Sequence, residues 1–398
     1  QVPTNVSGSW PWICFGGAVG NTFEIKDVSV KEVINLVSNP NFTDTGSELV
    51  VNGNFLSATS WNVNSNWNIN TVLGVAEADG TSDADINQNV WLPVIGTSYK
   101  VTFEVVSRSQ GEVLFKLGGV NGQAHTTIGI KTEYIVATST DRLRIDSQSS
   151  FIGSVKDVSV KELGADWVVI DGGGSVTFGD SFAEIIKTSS TPTFLEQDYA
   201  VTLGASHKLT YTVTENTLPS SSDELALSSA SAYGYSELDA SASATPKTVY
   251  LTVTDDTPTA ALRLFSRGNS GSIKITNISV QELGEGWTLG DGWSIGDDEV
   301  IKTGAIASNL IQYGVFTSLK SYKLTFEISN SNNGRLLVYM GGNSVTEDIT
   351  NASNVTYTFY GVADGSHMLF RNVNFTGSIT NVSVKEIATS YLTQDVSL

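Results

Sequence analysis

Val155-Lys156-Asp157-Val158-Ser159-Val160-Lys161-Glu162-Leu163 is written four times in this chain with small changes. The other copies run from Ile25 to Val33, from Ile275 to Leu283 and from Ile379 to Ile387. Val158 and Val160 alternate with Ser159 and Lys161, the two-residue period of a strand that buries one face. Gly-Ser precedes three of the copies, at 153–154, 271–272 and 377–378, so each strand follows a turn. The steps between copies are 130, 120 and 104 residues (28 to 158, 158 to 278, 278 to 382). These steps exceed any solenoid period and match a small domain, so each repeat is expected to enclose its own core.

A second recurring segment lies upstream of the first. Ser98-Tyr99-Lys100-Val101-Thr102-Phe103-Glu104-Val105 returns as Ser206 to Val213 and Ser321 to Ile328, with His207 standing where the others have Tyr99 and Tyr322. Tyr99, Val101, Phe103 and Val105 again alternate with polar residues. Further short strands, such as Val113 to Leu117, Leu262 to Phe265 and Leu336 to Met340, are separated by Gly, Asn, Ser and Asp. Apolar spacing of three and four is missing, and 37 Gly residues punctuate the chain throughout. The expected fold is therefore all-β: tandem antiparallel β-sandwich (jelly-roll) domains, each burying one face of two sheets.

Boundaries are expected just after each copy of the closing phrase. Residues 1–33 read as the C-terminal remnant of a preceding repeat, because the first phrase has no front and the chain starts at Gln1 without Met. Jelly-roll repeat 1, with an N-terminal linker, spans 34–163, repeat 2 spans 164–283, repeat 3 spans 284–387, and 388–398 is a C-terminal tail. Ahead of repeat 1 stand two near-copies of an opening segment, Asn35-Leu36-Val37-Ser38-Asn39-Pro40-Asn41-Phe42 and Glu48-Leu49-Val50-Val51-Asn52-Gly53-Asn54-Phe55. One is expected to begin the sandwich and the other to serve as linker.

Composition narrows the function. With 22 Lys and Arg against 41 Asp and Glu, the net charge of −19 disfavours nucleic acid and anionic membrane as partners. No apolar run is long enough to span a bilayer. Cys14 is the single cysteine, so stability rests on packing or assembly rather than on disulfides.

The order Asn52-Gly-Asn-Phe55, Trp61 with Trp67, Gln88, Tyr99 to Phe103 and Gly153 to Val160 resembles the jelly-roll domains of carbohydrate-binding modules of families 4 and 9. It is similar above all to the tandem versions found in bacteriophage virion structural proteins. Trp287, Trp293, Gln312, Tyr322 to Phe326 and Gly377 to Val384 repeat the pattern in the third unit. The middle unit departs from it, with Trp167 but Gly173 in place of the second Trp, and an insertion around Pro219 to Ala244. The resemblance implies a non-enzymatic structural or interaction protein on a virion surface: a fibre, tail-associated or capsid-decoration protein. Its implied partners are other virion proteins and copies of itself in a homo-oligomer, with host surface glycans as further ligands. The alternative is an extracellular host-glycan adhesin or a secreted carbohydrate-binding protein. Family members often hold a structural calcium, so calcium is the one cofactor the resemblance raises, and it does not assign ligands.

Candidate sites each carry a competing structural assignment. Trp61, Trp67, Trp287 and Trp293 suit sugar stacking, but their shared repeat positions fit core aromatics. Trp91, Tyr199 and Tyr313 follow Gln88, Gln197 and Gln312 by three, two and one residues. Aromatics that drift in register are the carbohydrate-binding candidates, with edge-strand packing the favoured competitor. Trp10 and Trp12 are expected to pack. His125, His207 and His367 are scattered, and Gly179-Asp180-Ser181 and His367 belong to different repeats, so no catalytic residues are expected. Asp79, Asp83 and Asp85, and Asp297, Asp298 and Glu299, lack the spacing of a calcium loop and read as turn acids, so no metal site is assigned.

Overall fold

Alternation in the two recurring phrases is realised as paired strands. The computed structural model describes residues 34–43, 45–219, 224–296, 298–332, 334–344, 349–350 and 354–387. The expected remnant with Trp10, Trp12 and Cys14, the expected tail, and Asp297 lie outside these residues. Among the described residues there is no helix, and every strand ladder is antiparallel. The fold is tandem antiparallel β-sandwiches, as the periodicity predicts.

Three strands of each repeat position the features of interest. In the first repeat they are β1 (Ser98–Leu117), β2 (Gly129–Val136) and β3 (Leu143–Glu162). In the middle repeat they are β4 (Ser206–Asn216), β5 (Lys247–Thr252) and β6 (Gly271–Leu283). In the third they are β7 (Ser321–Ser329), β8 (Val355–Val362) and β9 (Gly377–Glu386). The closing-phrase strand of each set lies beside the Tyr or His phrase, which is flanked on its far side by the third strand. β1 and β3, at 20 residues each, run through both layers of the first sandwich and change register several times along their pairing. In the other two repeats the layers are separate sheets, five and five strands in the middle repeat, six and five in the third.

Each sandwich closes on its own apolar filling. Tyr99, Val101, Phe103 and Val105 are buried in the first repeat, Leu209, Tyr211 and Val213 in the middle one, and Tyr322, Leu324, Phe326 and Ile328 in the third. Trp61, Trp67, Trp167 and Trp293 are core residues, whereas Trp287 is only half-buried. The two opening segments go to different places. Val50 and Phe55 enter the first core, while Val37 and Phe42 enter the core of the middle repeat, whose strands begin more than a hundred residues later.

A shared irregularity sits inside the closing phrase. The pairing shifts by a residue beside Asp157, Asn277 and Asn381, and these three have φ of 51°, 54° and 53°. Asp and Asn tolerate the left-handed region because their short polar side chains bond locally, which suits them to a β-bulge. Successive repeats are joined by a matching bond. The Ser98 hydroxyl accepts the Phe178 N–H at 2.9 Å, and the Ser206 hydroxyl accepts the Ile295 N–H at 3.2 Å.

Candidate functional site

The polar halves of the two phrases meet on the outer face of each sandwich. Lys100 pairs with Lys161 on one side and Tyr134 on the other, with Thr102, Ser159 and Thr132 forming the next row. The middle repeat places Lys208 between Gln281 and Tyr250, above Thr210, Ser279 and Thr248. In the third, Lys323 lies between Lys385 and Tyr360, above Thr325, Ser383 and Thr358. Residues directly opposite across antiparallel strands have Cβ atoms about 5 Å apart, so each row is one patch. Each face therefore offers one aromatic ring, one or two ammonium groups and a row of hydroxyls.

The three faces differ in their surroundings. In the first, Thr43 and Thr45 of the connecting segment help Lys100, Thr102, Ser159 and Lys161 enclose a cleft of about 220 Å³. Glu48 borders it and accepts a hydrogen bond from the Ser159 hydroxyl. Tyr134 donates its hydroxyl proton to Asp180 of the middle repeat at 2.9 Å, and burial, followed by that carboxylate, pushes its pKa up to about 12. Tyr360, at 64% exposure, is the most open of the three rings.

The sequence-predicted aromatics lie elsewhere and do not form one site. Trp91 packs on the first core, its ring 5.9 Å from that of Tyr99, and its buried indole N–H meets no partner among the described residues. Tyr199 packs on the middle core with its hydroxyl 2.7 Å from that of Tyr233, and burial holds its phenol well above the usual range. The Tyr233 hydroxyl also lies 2.7 Å from Nδ1 of buried His207, whose pKa falls to about 4 through desolvation. Tyr313 is 64% exposed, its ring 6.2 Å from that of His367.

Other candidate groups have local partners. His125 Nε2 lies 2.6 Å from Glu133 Oε1. The Ser181 hydroxyl is 3.5 Å from Asp180, while His367 lies beside Tyr313, and no hydrogen bond joins Ser181 to His367. Asp79 accepts from Thr81, Asp83 from the Ser150 N–H, and Asp85 from Asn64 and Asn87. Among the described residues no group of three His, Cys, Asp or Glu side chains is placed to hold a metal ion.

In sequence, Lys100, Thr102, Ser159 and Lys161 are only the solvent half of an alternation. The signal that they form a patch was present, because both phrases recur together in three repeats, but it required knowing that the two strands are neighbours in register.

No protein-family model matches the sequence, and no curated protein matches it. Among solved structures, the N-terminal tandem of two CBM22 domains from Paenibacillus barcinonensis Xyn10C aligns with 56% of this chain and 93% of that one, at 8% identity and a TM-score of 0.22. A superposition this loose adds nothing to the architecture that the strand ladders define.

Proposed function

We propose that this chain is a non-enzymatic interaction protein whose repeated outer faces bind glycans, with preference for sugars bearing carboxylate or sulfate groups. The observation that carries the reading is the Lys-over-Lys pairing of Lys100 with Lys161, in a chain with 41 acidic and 22 basic residues. Like charges directly opposite one another weaken a sheet, by up to about 1 kcal/mol. An anionic substituent between the two ammonium groups would remove that repulsion through charge-assisted hydrogen bonds. The adjacent Tyr ring suits the apolar face of a pyranose, and the Thr and Ser row suits its hydroxyls. Three weak sites on one chain gain avidity when they engage one polysaccharide surface.

A glycan array with the intact chain tests this. Binding strongest on acidic glycans and weakened by salt is expected, with about a 10-fold loss in the double variant Lys100→Ala, Lys323→Ala and a further loss on Tyr134→Ala, Tyr250→Ala and Tyr360→Ala. Tyr313→Ala belongs in the same series, since its exposed ring is the one predicted aromatic open to solvent. An intact chain that binds no glycan, or variants that bind unchanged, would sink the proposal.

The setting we propose is the surface of a bacteriophage particle, as part of a fibre, tail-associated or decoration protein assembled with its own copies and other virion proteins. Support for the setting is the likeness of the repeat pattern in sequence. Particle proteomics with a symmetric reconstruction would locate the chain, and its recovery solely as a free monomer would count against this setting while leaving glycan binding untouched.

A further inference from the structure

The opening segment is bound the same way in the first two repeats. In the first, Gly53 accepts the Val158 N–H at 2.9 Å, directly after the bulge at Asp157, and the Leu49 N–H reaches the Val160 carbonyl at 3.0 Å. The Gln88 side-chain amide clasps Val51 from both sides, accepting its N–H and donating to its carbonyl, and the Trp61 indole N–H donates to the Asn52 carbonyl at 3.1 Å. Phe55 ends the segment, fully buried, 5.0 Å from the Trp61 ring.

The middle repeat reproduces every contact with the other segment. Pro40 accepts the Ile278 N–H at 3.0 Å, and the Leu36 N–H reaches Val280 at 2.7 Å. Gln197 clasps Ser38, the Trp167 indole donates to Asn39 at 3.0 Å, and Phe42 is buried 5.0 Å from the Trp167 ring. Asn39 and Phe42, like Asn52 and Phe55, have φ between 45° and 59°. Such values are uncommon for Phe and show one backbone conformation used twice.

Among the described residues, the third repeat has the receptor without the segment. Asn381 forms the bulge, and Trp287, Gln312, Val382 and Val384 stand in the corresponding places. Trp167, Gln88, Ile278 and Val160 are buried beneath their segments, whereas Trp287, Gln312, Val382 and Val384 are only partly covered. Together with Val315 and Met368 they line a groove of about 510 Å³. No described residue bonds the Val382 N–H along this edge.

We infer that this groove is a docking site for an extended peptide of the form Leu-Val-x-Asn-x-Asn-Phe supplied from outside residues 1–398, a strand added to the edge of β9. The residues that grip such a segment twice in this molecule specify the occupant. Leu-Val-x-Asn-x-Asn-Phe occurs only at 36–42 and 49–55 of the chain, and both copies are engaged. Asn372 to Phe375 shares the shorter Asn-x-Asn-Phe, but Phe375 is already part of the third core. A second copy of the chain is not the natural donor. Each copy of residues 1–398 would bring two segments for three grooves, so every exchange of these residues would empty one groove as it filled another.

A fluorescent peptide with the sequence of residues 46–57 can be titrated into the full chain and followed by anisotropy. Saturable 1:1 binding is expected, weakened about 10-fold or more when the Phe of the peptide is replaced by Ala or when the protein carries Gln312→Ala. The peptide substitution keeps the test valid if the protein variant folds poorly. Absence of saturable binding at millimolar peptide would overturn the inference. So would binding that ignores the Phe, or binding that responds to Gln88→Ala or Gln197→Ala instead of Gln312→Ala. Self-association of the chain competed by the peptide would assign the groove to a second copy and equally overturn it.

Discussion

The middle and third repeats share a receptor, but among the described residues only the middle one has its occupant. In the middle repeat Asn35 to Phe42, which precedes the first repeat in sequence, seals Gln197, Trp167 and Ile278 away from water. In the third, Gln312, Trp287 and Val382 keep the same positions but remain partly open. The difference teaches that the sandwich takes this strand as a separate piece of chain, covered in one repeat and partly open in the other. Once a segment is held by one clasp, one indole bond and one buried Phe, its place along the chain no longer dictates which sandwich it completes.

The strongest way to break that comparison is Phe42→Ala. Removing a fully buried Phe should cost the middle repeat about 3–5 kcal/mol. Hydrogen exchange should accelerate in β4 and β6, with the first repeat spared, and Phe55→Ala should show the reverse. Loss of protection in the first repeat on Phe42→Ala would mean that the segment belongs to the sandwich that follows it in sequence.

Acid should separate the repeats next. His207 is buried and neutral with a pKa of about 4, below its ordinary 6.5, so the unfolded chain takes up the proton first as pH falls. Its contribution is fully present above about pH 6.5 and declines by about 1.4 kcal/mol per pH unit down to about pH 4, roughly 3 kcal/mol in all. The third repeat has Tyr322 at that position, its hydroxyl accepting the Thr317 N–H at 2.8 Å, and should lack this transition. Denaturation at pH 7 and pH 5, read by exchange in β4 and β7, checks the contrast.

A smaller effect distinguishes the clasps. Gln197→Ala should destabilise the middle repeat by about 1–1.5 kcal/mol, because the Ser38 N–H and carbonyl and the Asp166 carbonyl lose their part-buried partner. Gln312→Ala should cost the third repeat no more than about 0.5 kcal/mol. Equal costs would show that the third groove is already filled. The smallest test concerns the bulge: Asn277→Ala and Asn381→Ala remove the short polar side chain that eases the left-handed region, each costing up to about 1 kcal/mol. The loss at Asn277 should be the larger, since it also disturbs the adjacent Ile278–Pro40 bond.

The strands were readable from particular residues. Tyr99, Val101, Phe103 and Val105 name the buried face of β1 by their period alone, and Lys100 and Thr102 thereby name its outer face. The candidate binding rows were half readable. Lys100 and Lys161 are visible in sequence, but their apposition depends on register, which the bulge at Asp157 shifts by one residue. Trp91 and Tyr199 illustrate the limit from the other side. Spacing from a glutamine could not say that one would lie over Tyr99 and the other place its hydroxyl against that of Tyr233, because those contacts are made by segments outside the strands whose paths only the fold sets.

The amino-acid order by itself determined the repeated all-β units, the inward and outward residues of their principal strands, and the two opening segments with their Asn-x-Asn-Phe ends. All of these follow from local steric and burial rules that act over a few neighbours. Tertiary structure alone decided that Asn35 to Phe42 completes the middle sandwich and that no described residue covers the corresponding edge of the third. The two segments carry the same chemistry for near-identical receptors, so the choice between receptors is made by distance in space and not by residue type.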